Sequence, residues 1–110
     1  MKKYGYEKMN MRERNSLEYV VYIDHRTDWN NYDKYVMFKT IEKAMAFMMS
    51  ENCNNETVFN VKLYKLTKKA TRENTLTKYN AIYSKNNNLH DNDYTTFNEF
   101  LVSDCDTYFE

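Results

Sequence analysis

The chain has 110 residues, 42% of them hydrophobic and 29% charged, and its formal net charge at pH 7 is zero. This length predicts one domain, and the lack of any apolar run of about 18–20 residues excludes a membrane-spanning helix. Two cysteines are too few for a disulfide-dense secreted scaffold, so a cytoplasmic protein with reduced thiols is expected.

The N-terminal residues 1–15 are polar, and we expect a flexible or partly helical segment there. A single α+β domain is predicted to follow, over residues 16–110. Residues 17–24 alternate between two faces and are rich in β-branched and aromatic side chains, which predicts a strand. After a polar loop, residues 34–38 predict a short return strand.

Residues 38–52 carry the strongest helical pattern in the middle of the chain. Thr40 stands at the expected N-cap, and Glu42 suits the positive end of the helix dipole. At about 100° per residue, one side of this helix is apolar and is predicted to cover the sheet. The residues on that side are Ile41, Ala44, Met45, Met48 and Met49. Phe47 lies off this stripe.

Two further alternating runs, residues 57–66 and 75–84, predict an antiparallel hairpin. An apolar side chain faces another apolar side chain at three positions if the two runs pair about Thr71, and such pairs fix a register. The predicted pairs are Phe59–Tyr83, Val61–Ala81 and Leu63–Tyr79.

A second, C-terminal helix is predicted from Thr96, because Thr96 and Glu99 match the S/T-x-x-E capping box and apolar residues follow at near-helical spacing. The predicted fold is therefore α+β. It has a small antiparallel sheet of about four strands, in β-β-α-β-β-α order, which is covered by the central helix and accompanied by the C-terminal one.

Neither a catalytic site nor a cofactor site is predicted. Gly5 is the one glycine, so no glycine-rich phosphate loop can form, and neither G-x-S-x-G nor H-E-x-x-H occurs. Structural zinc ligands usually come in closely spaced pairs, whereas the histidines and cysteines here are isolated from one another. Those residues are His25, Cys53, His90 and Cys105. We expect no metal and no enzymatic activity.

Charge is distributed unevenly along the chain, and residues 86–110 carry six acidic groups with no lysine or arginine. Mixed with aromatic residues, these carboxylates could bind a partner that normally binds phosphates. Trp29 in a polar loop and Phe47 off the helical stripe are candidate anchors, because buried aromatic anchors typify interfaces. The predicted partner-binding residues are Trp29, Phe47, Asp91, Asp93, Asp104, Asp106, Tyr108 and Phe109.

Residues 61–85 carry seven basic groups against one glutamate, which supports an alternative. A charged hairpin with aromatic residues can hold phosphates and stack bases. The residues of this alternative nucleic-acid site are Lys62, Tyr64, Lys65, Lys68, Lys69, Arg72 and Lys78.

The sequence therefore favours a non-enzymatic protein-binding module, with a small nucleic-acid-binding accessory protein as the alternative. Asn, Lys, Tyr, Phe and Met are abundant, as expected of an AT-rich coding sequence, and this favours a phage or other mobile element. The expected partner is a host protein in the host cytoplasm, such as a CRISPR effector or a transcription or replication protein. Inhibition would act by occlusion or nucleic-acid mimicry. A homodimer is a further expected assembly, since unpaired strand edges suit self-association.

Overall fold

The computed structural model describes residues 2–3, 11–87, 89–90, 92–96 and 107–109. Within them, helix α1 is Met11–Ser16, helix α2 is Ile41–Met48, and a 3-10 turn covers Glu51–Cys53. The strands in chain order are β1 (Lys2–Lys3), β2 (Tyr19–Arg26), β3 (Asn31–Phe38), β4 (Val58–Lys68), β5 (Lys78–Ser84), β6 (Tyr94–Thr96) and β7 (Thr107–Phe109). None of the helices in these ranges is long and apolar enough to cross a bilayer.

All seven strands of the described residues belong to one sheet, in the order β1-β7-β3-β2-β4-β5-β6. Neighbouring strands pair antiparallel, except that β3 and β7 pair parallel. The fold is a mostly antiparallel, curled sheet with helix α2 and the 3-10 turn against one face. The predicted β-β-α-β-β-α arrangement, with about four strands and two covering helices, is wrong.

The C-terminal helix is the largest error of that prediction. Thr96, its expected N-cap, is instead the last residue of β6, where it pairs with Lys78, and both Thr95 and Thr96 are buried. A capping box is a four-residue pattern, and β-branched threonines are well suited to cross-strand packing. Further along, Thr107–Phe109 lies between β1 and β3, while residues 97–106 lie outside the described residues.

Helix α2 begins where the sequence predicts. Thr40 adopts the extended backbone of an N-cap, and its Oγ1 accepts a hydrogen bond from Lys43 N at 3.3 Å. The helix ends at Met48 and is only eight residues long. Ser50 follows and closes the helix end, since its hydroxyl donates to the Phe47 carbonyl oxygen at 2.6 Å.

The face that α2 buries matches the predicted stripe only in part: Ala44 is buried and Ile41 and Met48 pack against the same cluster. Ala44 and Phe47 are its buried residues, whereas Met45 and Met49 are exposed. The small side chain of Ala44 allows close approach to the sheet, and the Phe47 ring packs on Phe38 with 5.4 Å between ring centroids. Because the helix has two turns, the buried face is decided by this fit and not by the number of apolar residues.

Both faces of the sheet carry buried side chains. The face under α2 is built mainly from alternate residues of β2, β3 and β4: Tyr19, Val21, Ile23, Val36, Phe38, Val61 and Leu63. The opposite face has its own cluster: Leu17, Val20, Tyr35, Met37, Tyr64 and Tyr79. Inside the second cluster, the Tyr79 hydroxyl donates to the Leu17 carbonyl oxygen at 2.8 Å, which satisfies the buried phenol.

The β4–β5 hairpin forms, but the predicted register is wrong. Leu63 pairs with Tyr83, and Leu66 pairs with Tyr79. The register shifts between Leu63 and Tyr64 and again between Leu66 and Lys68. A shift of this kind moves the side chains that follow it to the other face of the sheet. The apolar alternation within one strand therefore does not predict which residue of the neighbouring strand it pairs with.

Candidate interaction site

The turn between β2 and β3 presents Trp29 to solvent. Thr27 closes this turn: its backbone N–H and its hydroxyl both donate to the Asn30 carbonyl oxygen, at 2.9 and 2.8 Å. The Thr27 hydroxyl oxygen in turn accepts from Asn30 N at 3.0 Å. The Trp29 side chain is 96% exposed. An indole on a hydrogen-bonded turn loses less conformational freedom on binding than one on a flexible loop.

Further aromatic side chains lie at the same end of the sheet as this turn. Tyr32, near the start of β3, stacks on His25 with 4.5 Å between ring centroids and an interplanar angle of 10°. Phe59, near the start of β4, lies under the Arg26 guanidinium, 3.6 Å from the ring centroid. Both rings are also partly exposed. We call Trp29, Arg26, Tyr32 and Phe59 the tip surface.

Of the four residues of the tip surface, the sequence predicts only Trp29 as a candidate, and its role in binding stays a prediction. Trp29 was identifiable because a tryptophan in a polar loop has few ways to be buried. Arg26 and Phe59 are far apart in sequence, and the β2–β4 register shifts between Asp24 and His25, close to where they meet. No pattern within either strand reveals that shift.

The buried His25 ring stacks against Tyr32 of the tip surface. It is buried, and its Nδ1 is 3.1 Å from Thr57 Oγ1. The Thr57 hydroxyl donates its one proton to Asn55 Oδ1 at 2.7 Å, so Nδ1–H is the donor to Thr57. Nε2 is buried and has no hydrogen-bond partner among the described residues. Burial lowers the pKa of His25, Lys34 lowers it further, and Asp24 partly opposes them.

The stability of the fold is expected to depend on the charge of His25. Its folded-state pKa lies below the ordinary value of 6.5, so the unfolded chain binds this proton more readily. Stability is therefore full above about pH 6.5 and falls as the pH drops below it. Melting temperatures between pH 7.5 and 5.5 should decline more steeply for the wild type than for His25→Gln. Equal declines would show that His25 does not contribute.

Asp93, a predicted partner-binding residue, is engaged inside the fold. Its carboxylate accepts from Lys62 Nζ at 2.7 Å and from the Tyr64 hydroxyl at 3.2 Å. The Lys62 and Asp93 side chains are each 14% exposed. The structure thus joins one residue of the predicted acidic surface to two residues of the predicted basic surface.

The remaining predicted residues are dispersed. Phe47, on α2, is buried in the core. Tyr108 and Phe109 belong to β7. Asp91, Asp104 and Asp106 lie outside the described residues. Of the basic set, the exposed members are Lys65, Lys68, Lys69 and Arg72. Lys78 is partly buried, with its Nζ 4.6 Å from the Tyr94 ring centroid. Among the described residues, no three His, Cys, Asp or Glu side chains cluster in a way that could hold a metal ion.

In the part of the chain that the structure describes, these features define a small, mostly antiparallel β domain with helix α2 packed on its sheet and aromatic side chains exposed at one end. Comparison with protein-family models, curated proteins and solved structures finds no match.

Proposed function

We propose that this protein is a non-enzymatic protein-binding module that uses Trp29 as its main anchor. The observation that carries this proposal is the 96% exposure of an indole on a turn closed by three hydrogen bonds. Tryptophan, tyrosine and arginine are the residue types enriched at interface hot spots, and the tip surface contains all three. Because the anchor protrudes, the partner surface that fits it is a pocket lined by apolar side chains.

The proposed action is occlusion of a host protein in the host cytoplasm, with a phage or mobile element as the source of the inhibitor. Occlusion suits a protruding anchor on a hydrogen-bonded turn, since it requires only that the indole fill a pocket on the target and needs no catalytic chemistry. Nucleic-acid mimicry receives less support, because Asp93 is paired with Lys62 at 2.7 Å and does not present a free carboxylate.

The second candidate function is nucleic-acid binding by the end of β4 and the loop after it. Four exposed basic residues favour it: Lys65, Lys68, Lys69 and Arg72. Two other members of the predicted basic set, Lys62 and Tyr64, are engaged with Asp93. Backbone phosphates would be held by the exposed cations alone, since Tyr64 is buried and cannot stack on a base.

Replacing Trp29 by alanine tests the first proposal. We expect the variant to change the free energy of unfolding by less than about 0.5 kcal/mol, because the side chain has almost no contacts to lose. Capture of a host partner should fall by at least about 30-fold in affinity, since hot-spot truncations cost about 2 kcal/mol or more. Affinity purification followed by titration of the captured protein measures both the partner and the loss.

Tyr94→Ala is the matched control, because Tyr94 is also a partly exposed aromatic residue but lies on β6, away from the tip. It should retain the partner. Capture that survives Trp29→Ala would contradict the proposal. A captured nucleic acid that is lost in Lys68→Gln/Lys69→Gln and kept in Trp29→Ala would favour the second candidate instead.

A further inference from the structure

A groove of about 600 Å³ runs between helix α2 and the β4–β5 hairpin, on the helix-covered face of the sheet. Its lining is mostly apolar: Met45, Met48, Met49, Val61, Leu63 and Tyr83. Cys53, Asn54 and Lys85 are the other described residues that line it. This volume lies within the range of about 300–1,000 Å³ that is usual for small-molecule sites.

The floor and the walls of the groove differ in exposure. Val61, Leu63 and Cys53 form a buried floor. Met45 on α2, Met49 just after it and the facing Tyr83 on β5 are exposed. Exposed methionines beside a cavity leave apolar surface in water that a ligand would cover. Methionine side chains are flexible and polarisable, so they can close around chains of different lengths.

Among the described residues, the charged group that lines the groove is the Lys85 ammonium. Lys85 is exposed, and its Nζ is 3.5 Å from the carbonyl oxygen of Cys53, whose side chain belongs to the floor. Within the described part of the chain, Lys34 and Lys85 are the charged side chains that act on the Cys53 thiol, and both lower its pKa. Burial outweighs them and raises the pKa of Cys53 to about 11, so the thiol is neutral at pH 7. A ligand anion here would face positive charge and a neutral thiol.

We propose that this groove binds a free fatty acid, with the alkyl chain along the methionines and the carboxylate at Lys85. The described lining of the groove offers one cation beside apolar side chains, which matches a molecule with one anionic end and one alkyl chain. Binding is noncovalent, since a protonated thiol is a poor nucleophile. The site is independent of Trp29, so the proposed protein-binding function and this site can fail separately.

Chain length and head-group charge test the proposal on the full chain. Octanoate, decanoate and dodecanoate are titrated below their micelle concentrations by calorimetry, and by NMR of protein labelled at the methionine methyl groups. Affinity should rise roughly fourfold with each added methylene, as expected from burial of alkyl chain. Nonyltrimethylammonium has the same nine-carbon alkyl chain as decanoate but the opposite charge, and it should bind at least about tenfold more weakly than decanoate.

Two variants connect the binding to the groove. Lys85→Gln should weaken decanoate about tenfold, and Met49→Glu, which places a negative charge on the exposed wall, should weaken it at least as much. Lys68→Gln is the control, because Lys68 is exposed on the same hairpin and does not line the groove. Unfolding curves confirm that the variants remain folded.

Several outcomes would overturn the proposal. Affinity that does not depend on chain length would exclude an alkyl site, and equal affinities for Lys85→Gln and Lys68→Gln would exclude the proposed head-group contact. Methyl shifts confined to Met11, outside the groove, would place the ligand elsewhere. A groove filled by a second copy of this chain, detected as a dimer that decanoate does not dissociate, would also contradict it.

Discussion

Replacing Phe47 by alanine is expected to lower the free energy of unfolding by about 3 kcal/mol, at the lower end of the range for buried phenylalanine. The ring is 9% exposed, and it fills the space between α2 and Phe38. Truncation removes apolar contact and leaves a cavity that a two-turn helix can close only in part. Urea unfolding, followed by far-ultraviolet circular dichroism, measures the loss, with the slope of the transition as a check of two-state behaviour.

Met49→Ala is the matched control at the end of the same helix. Met49 is 81% exposed, so its truncation should change the free energy of unfolding by less than about 0.5 kcal/mol. The opposite order, a large loss at Met49 and little at Phe47, would mean that α2 packs through the stripe predicted from sequence. The pair of variants therefore measures the rotation of the helix about its axis.

Some features of helix α2 can be predicted from the sequence and others cannot. Its existence and start follow from local chemistry, since the Thr40 hydroxyl satisfies an amide of the first turn whatever lies nearby. The rotation of the helix about its axis does not follow from local chemistry. The five apolar residues of the predicted stripe span a wide arc, and a short helix can bury different parts of that arc. The fit of Phe47 against Phe38 decides, and Phe38 is on another element.

The strands likewise have some features that the sequence predicts and others that it does not. β2 was predictable because Val20, Val21 and Ile23 are β-branched and buried on both faces of a central strand. The register of β4 with β5 was not, because it shifts twice along the hairpin. The parallel pairing of β3 with β7 joins residues about 70 positions apart, which no short-range pattern encodes.

The candidate site was predictable only where a single residue carries it. Trp29 stands out in the sequence as a large aromatic residue among polar neighbours. The groove lies between Tyr83 and Lys85, in and just after β5, and Met45 and Met49, in and just after α2. The predicted helix orientation placed those methionines in the core. Because this predicted orientation is wrong, the sequence does not predict the groove and places Phe47 outside the core.

The Lys62–Asp93 pair is expected to be a large polar contribution to stability, and Asp93→Ala should cost about 2 kcal/mol. Both side chains are 14% exposed and 2.7 Å apart, so the loss of Asp93 leaves a poorly solvated ammonium. The Tyr64 hydroxyl also loses this acceptor. Asp93 holds the chain before β6 through its backbone as well, since its carbonyl oxygen accepts from Ala81 N at 2.9 Å. That contact is kept in the variant.

A double-mutant cycle separates the ion pair from these other contacts. Lys62→Met keeps an apolar side chain of similar length and should cost less than Asp93→Ala, because the carboxylate retains the Tyr64 hydroxyl. The coupling energy between the two sites is expected to be about 1–2 kcal/mol. It should change little between 0.1 and 1 M salt, because poorly exposed pairs are weakly screened. A coupling below about 0.3 kcal/mol, or one that 1 M salt abolishes, is the result for an exposed pair. The Asp93 carboxylate would then be free to face a partner, and it would again support nucleic-acid mimicry.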